Sequence, residues 1–200
     1  MIALRSALLP LVAVVLTPAE VHGQSAQAIS LQVSGLYNTV DGDVFDNLKN
    51  GFGGEAQIRY TPGALSVGAG FQYTEHGAEP VSGFMFPDVR LYGGFVEPRY
   101  RIHTGSYVIA PYVSARFSLL KAGFEGGEFS LSSTFIQLNG GGGLLYRLGP
   151  RLNLDAGATF GYNRRSAGTL SRNGEEVQSD PAASGVNLVL RLGLAVGLGG

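Results

Sequence analysis

The sequence predicts an all-β fold, an eight-stranded antiparallel up-and-down transmembrane β-barrel preceded by a cleaved signal peptide. Three observations predict it. Apolar residues alternate with polar residues or glycine in eight separate segments, which is the period of a strand. Nearly every charge in these segments lies on the same face. Short turns alternate with long loops between the segments, as they do in outer-membrane barrels.

Composition excludes several other classes of protein. The chain has 200 residues, of which 44% are hydrophobic and 14% charged, and this is too apolar for long disorder. A single domain is expected at this length. The net charge of -1 argues against a nucleic-acid partner, which needs a basic surface. The absence of cysteine excludes disulfides and thiolate metal sites.

The N-terminus has the layout of a secretory signal peptide. Arg5 precedes an apolar run from Ala7 to Leu16, and small residues follow. A run of about 10 apolar residues is half of what a membrane-spanning helix needs. We therefore predict a signal peptide over residues 1–23 and a barrel domain over 24–200, with cleavage after Gly23 preferred to cleavage after Ala28. A membrane location then requires a closed barrel.

The strands follow one another in a regular order. The predicted strands cover residues 29–38, 51–60, 64–74, 90–102, 107–118, 134–147, 151–163 and 185–198. Short turns follow the second, fourth and sixth strands. The long connections are 39–50, 75–89, 119–133 and 164–184. With an even strand count, both termini lie on the short-turn side, which is periplasmic in such barrels.

The charged face of these strands is expected to point inward. Its charges include Glu55, Arg59, Glu97, Arg99, Arg101, Arg116, Arg147, Asp155 and Arg191, whereas the opposite face carries only Arg90, at the start of the fourth segment. A soluble barrel would show the reverse. The last strand presents an unbroken row of alternate apolar residues from Val186 to Leu198, which suits a lipid-facing band.

Inside a narrow barrel, unpaired charges would be costly. We expect Glu55, Glu97 and Asp155 to pair with Arg99, Arg116 and Arg191, in space that inward glycines leave free. Three further arginines near the periplasmic mouth are expected to reach water. They are Arg59, Arg101 and Arg147. A structural plug is favoured over a gated pore, because eight-stranded barrels are filled by their own side chains.

The tyrosines form two predicted belts. Eight of the nine lie on the outward face, where aromatic rings gather at membrane interfaces. Those beside the short turns are Tyr60, Tyr100, Tyr107 and Tyr146. Those beside the long loops are Tyr37, Tyr73, Tyr92 and Tyr162.

Two central segments carry a family resemblance. The stretch Val96-Glu97-Pro98-Arg99-Tyr100-Arg101 and the stretch from Ala110 to Arg116 resemble the central hairpins of the OmpA-type and OmpX-type small outer-membrane barrels. The resemblance covers nearly all of the predicted mature chain. It implies an architecture and no particular activity.

Two details of this scheme concern proline and the loops. A turn centred on residues 103–106 would place Pro98 opposite Pro111, which predicts a bulge or a shifted register. Asn173-Gly174 predicts a tight hairpin.

The segment Phe84-Met85-Phe86-Pro87 is either an exposed contact site or a cover for the barrel mouth.

Candidate catalytic and metal-binding residues are few. His76 with Glu75 and Glu79 is the one acid–base constellation in the sequence. A lipid A deacylase built on a small barrel would use a His, a Ser and a Glu, with the serine two residues after the histidine, where this chain has Ala78. A further group, Asp41, Asp43, Asp46 and Asn47, lacks the full calcium-loop pattern and is read as a solvated turn. We expect no catalysis, no metal and no cofactor.

The sequence therefore predicts a monomeric protein of the outer membrane of a diderm bacterium, with lipid as its partner. Its expected role is structural, or the binding of an unidentified surface ligand through the four long loops. Three alternatives stay open. They are a narrow porin-like channel, a lipid A-modifying enzyme that uses His76, and an exported soluble barrel that carries a small apolar ligand.

Overall fold

The computed structural model describes residues 28–45, 48–78, 88–126, 129–172 and 175–198. Within them the chain forms strands and a short 3-10 helix over Asp43–Phe45. The strands are β1 (Ile29–Asp41), β2 (Leu48–Tyr60), β3 (Leu65–Ala78), β4 (Val89–Arg101), β5 (Ile109–Gly126), β6 (Phe129–Arg147), β7 (Leu152–Arg165), β8 (Gly168–Arg172), β9 (Glu175–Asp180) and β10 (Ala183–Leu198). The predicted signal peptide lies outside the described residues. Among these residues, no helix has the length and apolar character needed to span a bilayer.

Eight of the strands close into a barrel. β1 to β7 pair in sequence as antiparallel neighbours, and β10 pairs with β7 on one side and β1 on the other. The seam between β1 and β10 runs from Ile29 opposite Leu198 to Asp41 opposite Val186. Because the ladder closes on itself, the barrel leaves no open sheet edge. The predicted fold class is confirmed.

The two ends of the barrel differ in their connections. Short segments over 61–64, 102–108 and 148–151 join β2 to β3, β4 to β5 and β6 to β7. We call this end the short-turn end and the opposite one the long-loop end. Ile29 and Leu198 both lie at the short-turn end, as the even strand count predicts.

The strands extend further at the long-loop end than the sequence pattern predicts. β5 and β6 stay paired as far as Gly126 opposite Phe129, so most of the predicted loop 119–133 is strand. A ladder satisfies its own backbone groups and can continue past the point where the apolar pattern ends. The predicted loop 164–184 contains the hairpin β8–β9, in which Arg172 pairs with Glu175. The predicted tight turn at Asn173-Gly174 lies outside the described residues.

The register of β4 and β5 corrects the predicted proline pair. Arg99 pairs with Ser114, Pro98 pairs with Val67 of β3, and Pro111 pairs with Leu144 of β6. The prolines do not face each other, because the connection runs over residues 102–108 and is longer than the turn assumed. The β4–β5 ladder is interrupted between Val96 and Arg99, where Pro98 has no N–H to donate.

Polar residues fill the inside of the barrel and apolar residues cover its outside. Val33 and Leu192 on the outer face are 59% and 60% exposed, whereas Glu97 and Asp155 on the inner face are completely buried. This distribution is the reverse of a soluble β-barrel. It also contradicts the alternative of a carrier for an apolar ligand, since such a pocket is lined mainly by apolar side chains.

Candidate functional site in the barrel interior

A network of buried ion pairs crosses the half of the barrel nearest the short turns, and Glu97 lies at its centre. Glu97 Oε1 is 2.7 Å from Arg99 Nε, and its Oε2 is 2.5 Å from Arg116 Nη2 and 3.0 Å from Arg191 Nη1. One carboxylate on β4 thus contacts guanidinium groups from β4, β5 and β10. Charge-assisted hydrogen bonds of this kind are among the strongest in proteins.

The other two carboxylates complete the network. Glu55 Oε2 accepts from Arg116 Nη1 at 2.6 Å, and its Oε1 is 3.4 Å from Arg191 Nη1. Asp155 Oδ2 accepts from Arg99 Nη1 at 2.8 Å and lies 3.6 Å from Arg191 Nε. The structure therefore brings together all six residues that the sequence analysis assigned to the interior charge network. We call them the charge network.

Two of the three arginines that were expected to reach water near the periplasmic mouth are buried. Arg59 and Arg101 are only 3% and 6% exposed, which contradicts the expectation that they reach water. Arg59 Nη1 donates to Ser66 Oγ at 3.1 Å, and Arg59 Nη2 lies 3.8 Å from Glu97 Oε2. Arg101 donates to the carbonyl of Gly63. Arg147, which is half-buried, donates to the carbonyl of Gly149 at 3.3 Å.

Tyr112 belongs to the network and was missed by the sequence analysis. Its hydroxyl donates to Asp155 Oδ1 at 2.6 Å and accepts from Arg191 Nη2 at 2.8 Å. The Arg99 guanidinium also lies 4.5 Å from the centre of its ring. The sequence does indicate an interior role for it, since Tyr112 is the one tyrosine of the nine at an inward-facing position.

Uncharged amides also take part in the network. Gln32 Nε2 donates to Asp155 Oδ2 at 2.7 Å, and Gln72 Oε1 accepts from Arg116 Nη1 at 3.2 Å. Sequence alternation places both glutamines inside, but it does not tell which charge each one contacts. That choice depends on strand register and side-chain reach.

Inward glycines make room for these long side chains. A Cβ atom added to Gly157 would lie 2.6 Å from the Tyr112 hydroxyl oxygen and 3.2 Å from Arg191 Nη2. Real Cβ atoms do not approach a neighbour to 2.6 Å. Glycine at this position therefore leaves the space that the Tyr112 hydroxyl occupies in the narrow interior, and a larger residue would force that side chain to shift.

A layer of neutral side chains lies between the charge network and the long-loop end. Asn187 Oδ1 accepts from Asn139 Nδ2 at 3.0 Å and from Asn163 Nδ2 at 2.8 Å. Asn187 Nδ2 donates to Asn38 Oδ1 at 3.1 Å, and Asn38 Nδ2 lies 3.3 Å from His76 Nε2. We call these five residues the amide layer. It links side chains from five strands without any charge pair.

The position of His76 contradicts its proposed role at a lipid surface. His76 is completely buried inside the barrel, and its Nδ1 lies 3.0 Å from the carbonyl oxygen of Lys49. Glu75 is on the outer face, 3.7 Å from Arg90 Nε. Adjacent residues of a strand point to opposite faces, so these two groups cannot act together. Glu79 lies outside the described residues.

An apolar cluster lies in the lumen at the long-loop end. It consists of Phe45, Leu91, Leu120, Ala122 and Phe135. Phe45 comes from the 3-10 helix after β1 and reaches across to β4, β5 and β6, where its ring stacks on that of Phe135 with centroids 6.1 Å apart. We call this cluster the apolar cover. It was not predicted, because a single phenylalanine in a loop has no periodicity to reveal it.

The tyrosines predicted to form belts are all on the outer face. Tyr60, Tyr100, Tyr107 and Tyr146, at the short-turn end, are 45% to 66% exposed. At the long-loop end, Tyr73 and Tyr92 are cross-strand partners, and Tyr37 accepts a hydrogen bond from Asn50. Tyr162 is 51% exposed at the same end.

The predicted acidic loop gives no metal site in the part of the chain that the structure describes. Asp41 and Asp43 are exposed, while Asp46 and Asn47 lie outside that part. No group of three or more metal-binding side chains occurs among the described residues. The predicted apolar segment over residues 84–87 also lies outside them.

Comparisons with solved structures identify the same architecture. The chain is similar to the Neisserial surface protein A, NspA, with a TM-score of 0.60 and 23% identity over 86% of this chain and 97% of that one. It is also similar to the outer membrane protein OprG from Pseudomonas aeruginosa, with a TM-score of 0.57 and 13% identity over 88% and 98%. For Ail, the attachment invasion locus protein of Yersinia pestis, the values are 0.51 and 21% over 84% and 99%.

No family model matches the sequence, and no curated protein is significantly similar to it. The structural neighbours are small eight-stranded outer-membrane barrels, so the resemblance stated from the sequence is confirmed at the level of the fold.

Proposed function

We propose that the chain is a monomeric integral outer-membrane protein of a diderm bacterium, whose closed barrel anchors a surface that is exposed to the outside of the cell. Its outer face carries an apolar band with tyrosines at both ends, and the charges of the membrane-spanning part are enclosed. Lipid is the partner that this exterior requires. The inversion of polar and apolar faces is the observation that carries the proposal.

The long-loop end is proposed to face outward from the cell. Short connections are periplasmic in barrels of this type, and the segments 61–64, 102–108 and 148–151 join the strands at the short-turn end. The β5–β6 and β8–β9 hairpins extend the long-loop end. This end is proposed to bind a surface ligand through residues 39–50, 75–89, 119–133 and 164–184.

The lumen is proposed to be closed to ions, and catalysis is not expected. The charge network, the amide layer and the apolar cover lie one after another along the barrel, and each contains completely or almost completely buried side chains. An ion would have to separate Glu97 from its arginines to pass, which leaves buried charges uncompensated.

Detergent extraction and planar bilayers test these proposals. The refolded chain should migrate differently on gels before and after boiling, should float with vesicles, and should give no conductance steps. Recovery of the protein in the periplasmic supernatant without detergent would disprove the membrane location. Stable conductance would disprove the closed lumen alone.

A narrow channel is the second candidate function. Buried polar atoms without hydrogen-bond partners occur along the lumen, among them Thr74 Oγ1, Ser118 Oγ and Asn163 Oδ1, and they favour internal water. If water and small ions pass, Phe45→Ala should raise the conductance several-fold by removing the apolar cover. The outward Phe117→Ala serves as the matched control.

A further inference from the structure

A cleft of about 530 Å³ lies at the rim of the long-loop end, between the last residues of β7 and the first residues of β10. Asp43, Tyr162, Arg164, Arg165, Ala183 and Ser184 are among its lining residues. No residue of the charge network takes part in it. The cleft is therefore separate from the interior site.

The cleft begins where the apolar outer face ends. Tyr162 is an outward residue of the tyrosine belt, and Arg164 lies two residues further along β7 on the same outer face. Ser184 is the cross-strand partner of Arg164. In a membrane this height corresponds to the headgroups of the outer leaflet, because interfacial tyrosines mark the end of the hydrocarbon region.

The chemistry of the cleft suits a phosphate group. Arg164 and Arg165 point to opposite faces of β7, but both line the cleft because it lies where this strand ends. They contribute two positive charges and Asp43 one negative charge, which leaves a net positive site. Arg165 Nη2 donates to the carbonyl of Pro181 at 3.4 Å, but its Nε is buried without a hydrogen-bond partner. Guanidinium groups present paired donors that match phosphate oxygens, and hydroxyls of serine and tyrosine add further donors.

Other basic residues continue this surface around the barrel. Lys121 is the cross-strand partner of Tyr92, and Arg90 lies two residues beyond Tyr92 on β4. Both are exposed on the outer face. Glu75 on β3 lies 3.7 Å from Arg90 and offsets its charge, so Lys121 and Arg164 place net positive charge at headgroup height on β5 and β7, whereas β1 ends at the exposed acid Asp41. An anionic group is thus attracted to one side of the rim.

We propose that the cleft formed by Tyr162, Arg164, Arg165 and Ser184 binds a phosphate group, supplied by the headgroup of an outer-leaflet lipid or by free phosphate. The lipid source rests on the proposed outer-membrane location. Binding of free phosphate does not.

Native mass spectrometry of the refolded chain in phosphatidylcholine nanodiscs tests this inference. The discs contain either bisphosphorylated lipid A or the same lipid without phosphate, and inorganic phosphate is titrated separately onto the protein in a nonionic detergent. The variant Arg164→Gln/Arg165→Gln should bind phosphorylated lipid about 100-fold more weakly, since each charge-assisted hydrogen bond is worth about tenfold or more. Arg151→Gln, an exposed arginine at the short-turn end, is the matched control and should bind normally.

The outcomes separate the two proposals. Selective retention of phosphorylated lipid supports the lipid source, and competition by inorganic phosphate at similar affinity supports free phosphate. Equal lipid binding by the double variant and Arg151→Gln would overturn the inference. Gel mobility before and after boiling reports folding independently. A chain that does not insert into the discs contradicts the proposed membrane location, while an inserted chain that ignores phosphate contradicts only the cleft.

Discussion

The two halves of the lumen use different kinds of polar contact. In the charge network, Glu97, Glu55 and Asp155 are each held by two or more guanidinium groups at short distances. In the amide layer, the neutral side chains of Asn163, Asn187 and Asn38 are joined in a chain, with one hydrogen bond between each pair of neighbours. A buried charge that loses its partner is far more costly than a neutral amide that does so. The half near the short turns should therefore dominate the stability of the barrel.

The largest effect should come from Glu97. Glu97→Gln keeps the shape of the side chain but leaves Arg99, Arg116 and Arg191 without their shared charge. Breaking a buried pair costs about 3 to 5 kcal/mol. Urea-induced unfolding in vesicles should show this loss. Glu75→Gln removes an exposed pair with Arg90 and should change the unfolding free energy by less than about 1 kcal/mol. Equal losses of unfolding free energy in Glu97→Gln and Glu75→Gln would refute the view that the charge network dominates the stability of the barrel.

Tyr112→Phe should have the next largest effect. The change removes the donor to Asp155 and the acceptor for Arg191 and keeps the ring under Arg99. Hydrogen bonds to charged groups contribute about 1.5 to 3 kcal/mol each. The unfolding free energy should fall by at least the lower figure. Tyr60→Phe, on the outer face, is the control, and a loss of the same size there would show that the hydroxyl of Tyr112 has no special role.

Gly157→Ala tests the packing of the same half. The new methyl group would overlap Tyr112 and should destabilise the barrel by about 1 to 3 kcal/mol, the usual cost of overpacking. At Gly140 nothing lies within 4 Å of an added Cβ. Gly140→Ala should therefore leave the temperature of the gel-mobility transition unchanged. A shift of that transition in both variants would point to a general effect on strands.

The smallest effect is expected in the amide layer. Asn187→Ala removes one donor and one acceptor and should cost about 1 to 2 kcal/mol, because the amides released can bind internal water. The measurement is the same urea titration, compared with Glu97→Gln. A larger loss for Asn187→Ala would reverse the assignment of stability to the charged half.

The sequence predicts the barrel well because its alternation has a direct physical cause. Side chains of a strand point alternately into the barrel and out of it. The positions of Glu97, Asp155 and Arg191 in the alternating pattern of their strands are therefore enough to place them inside. Their exact partners depend on register, and the β4–β5 register was wrong by several residues because the length of the turn was underestimated. Arg59 was misplaced for a related reason. Its side chain folds back over the inward glycine Gly68 toward Glu97 and does not extend into water.

The features that were missed have no periodic signal. Phe45 packs into the long-loop end of the lumen from a 3-10 helix, and only its three-dimensional contacts with Leu120 and Phe135 reveal this. His76 is the opposite case, because its residue type and its neighbour Glu75 suggested acid–base catalysis that the structure does not support. The alternation of the strand places His76 inside the barrel and Glu75 outside it.

Arg191 helps to fix the register between β1 and β10, the two strands that close the barrel. Sliding β10 along β1 by two residues would keep apolar side chains outside and polar ones inside, so the exterior pattern cannot reject that error. The slide would move Arg191 by about 6.8 Å. It would then lose its contacts with carboxylates on β2, β4 and β7 together. The ion pairs of Arg191 on the last strand thus favour the native register between β1 and β10 over a register shifted by two residues when the barrel closes.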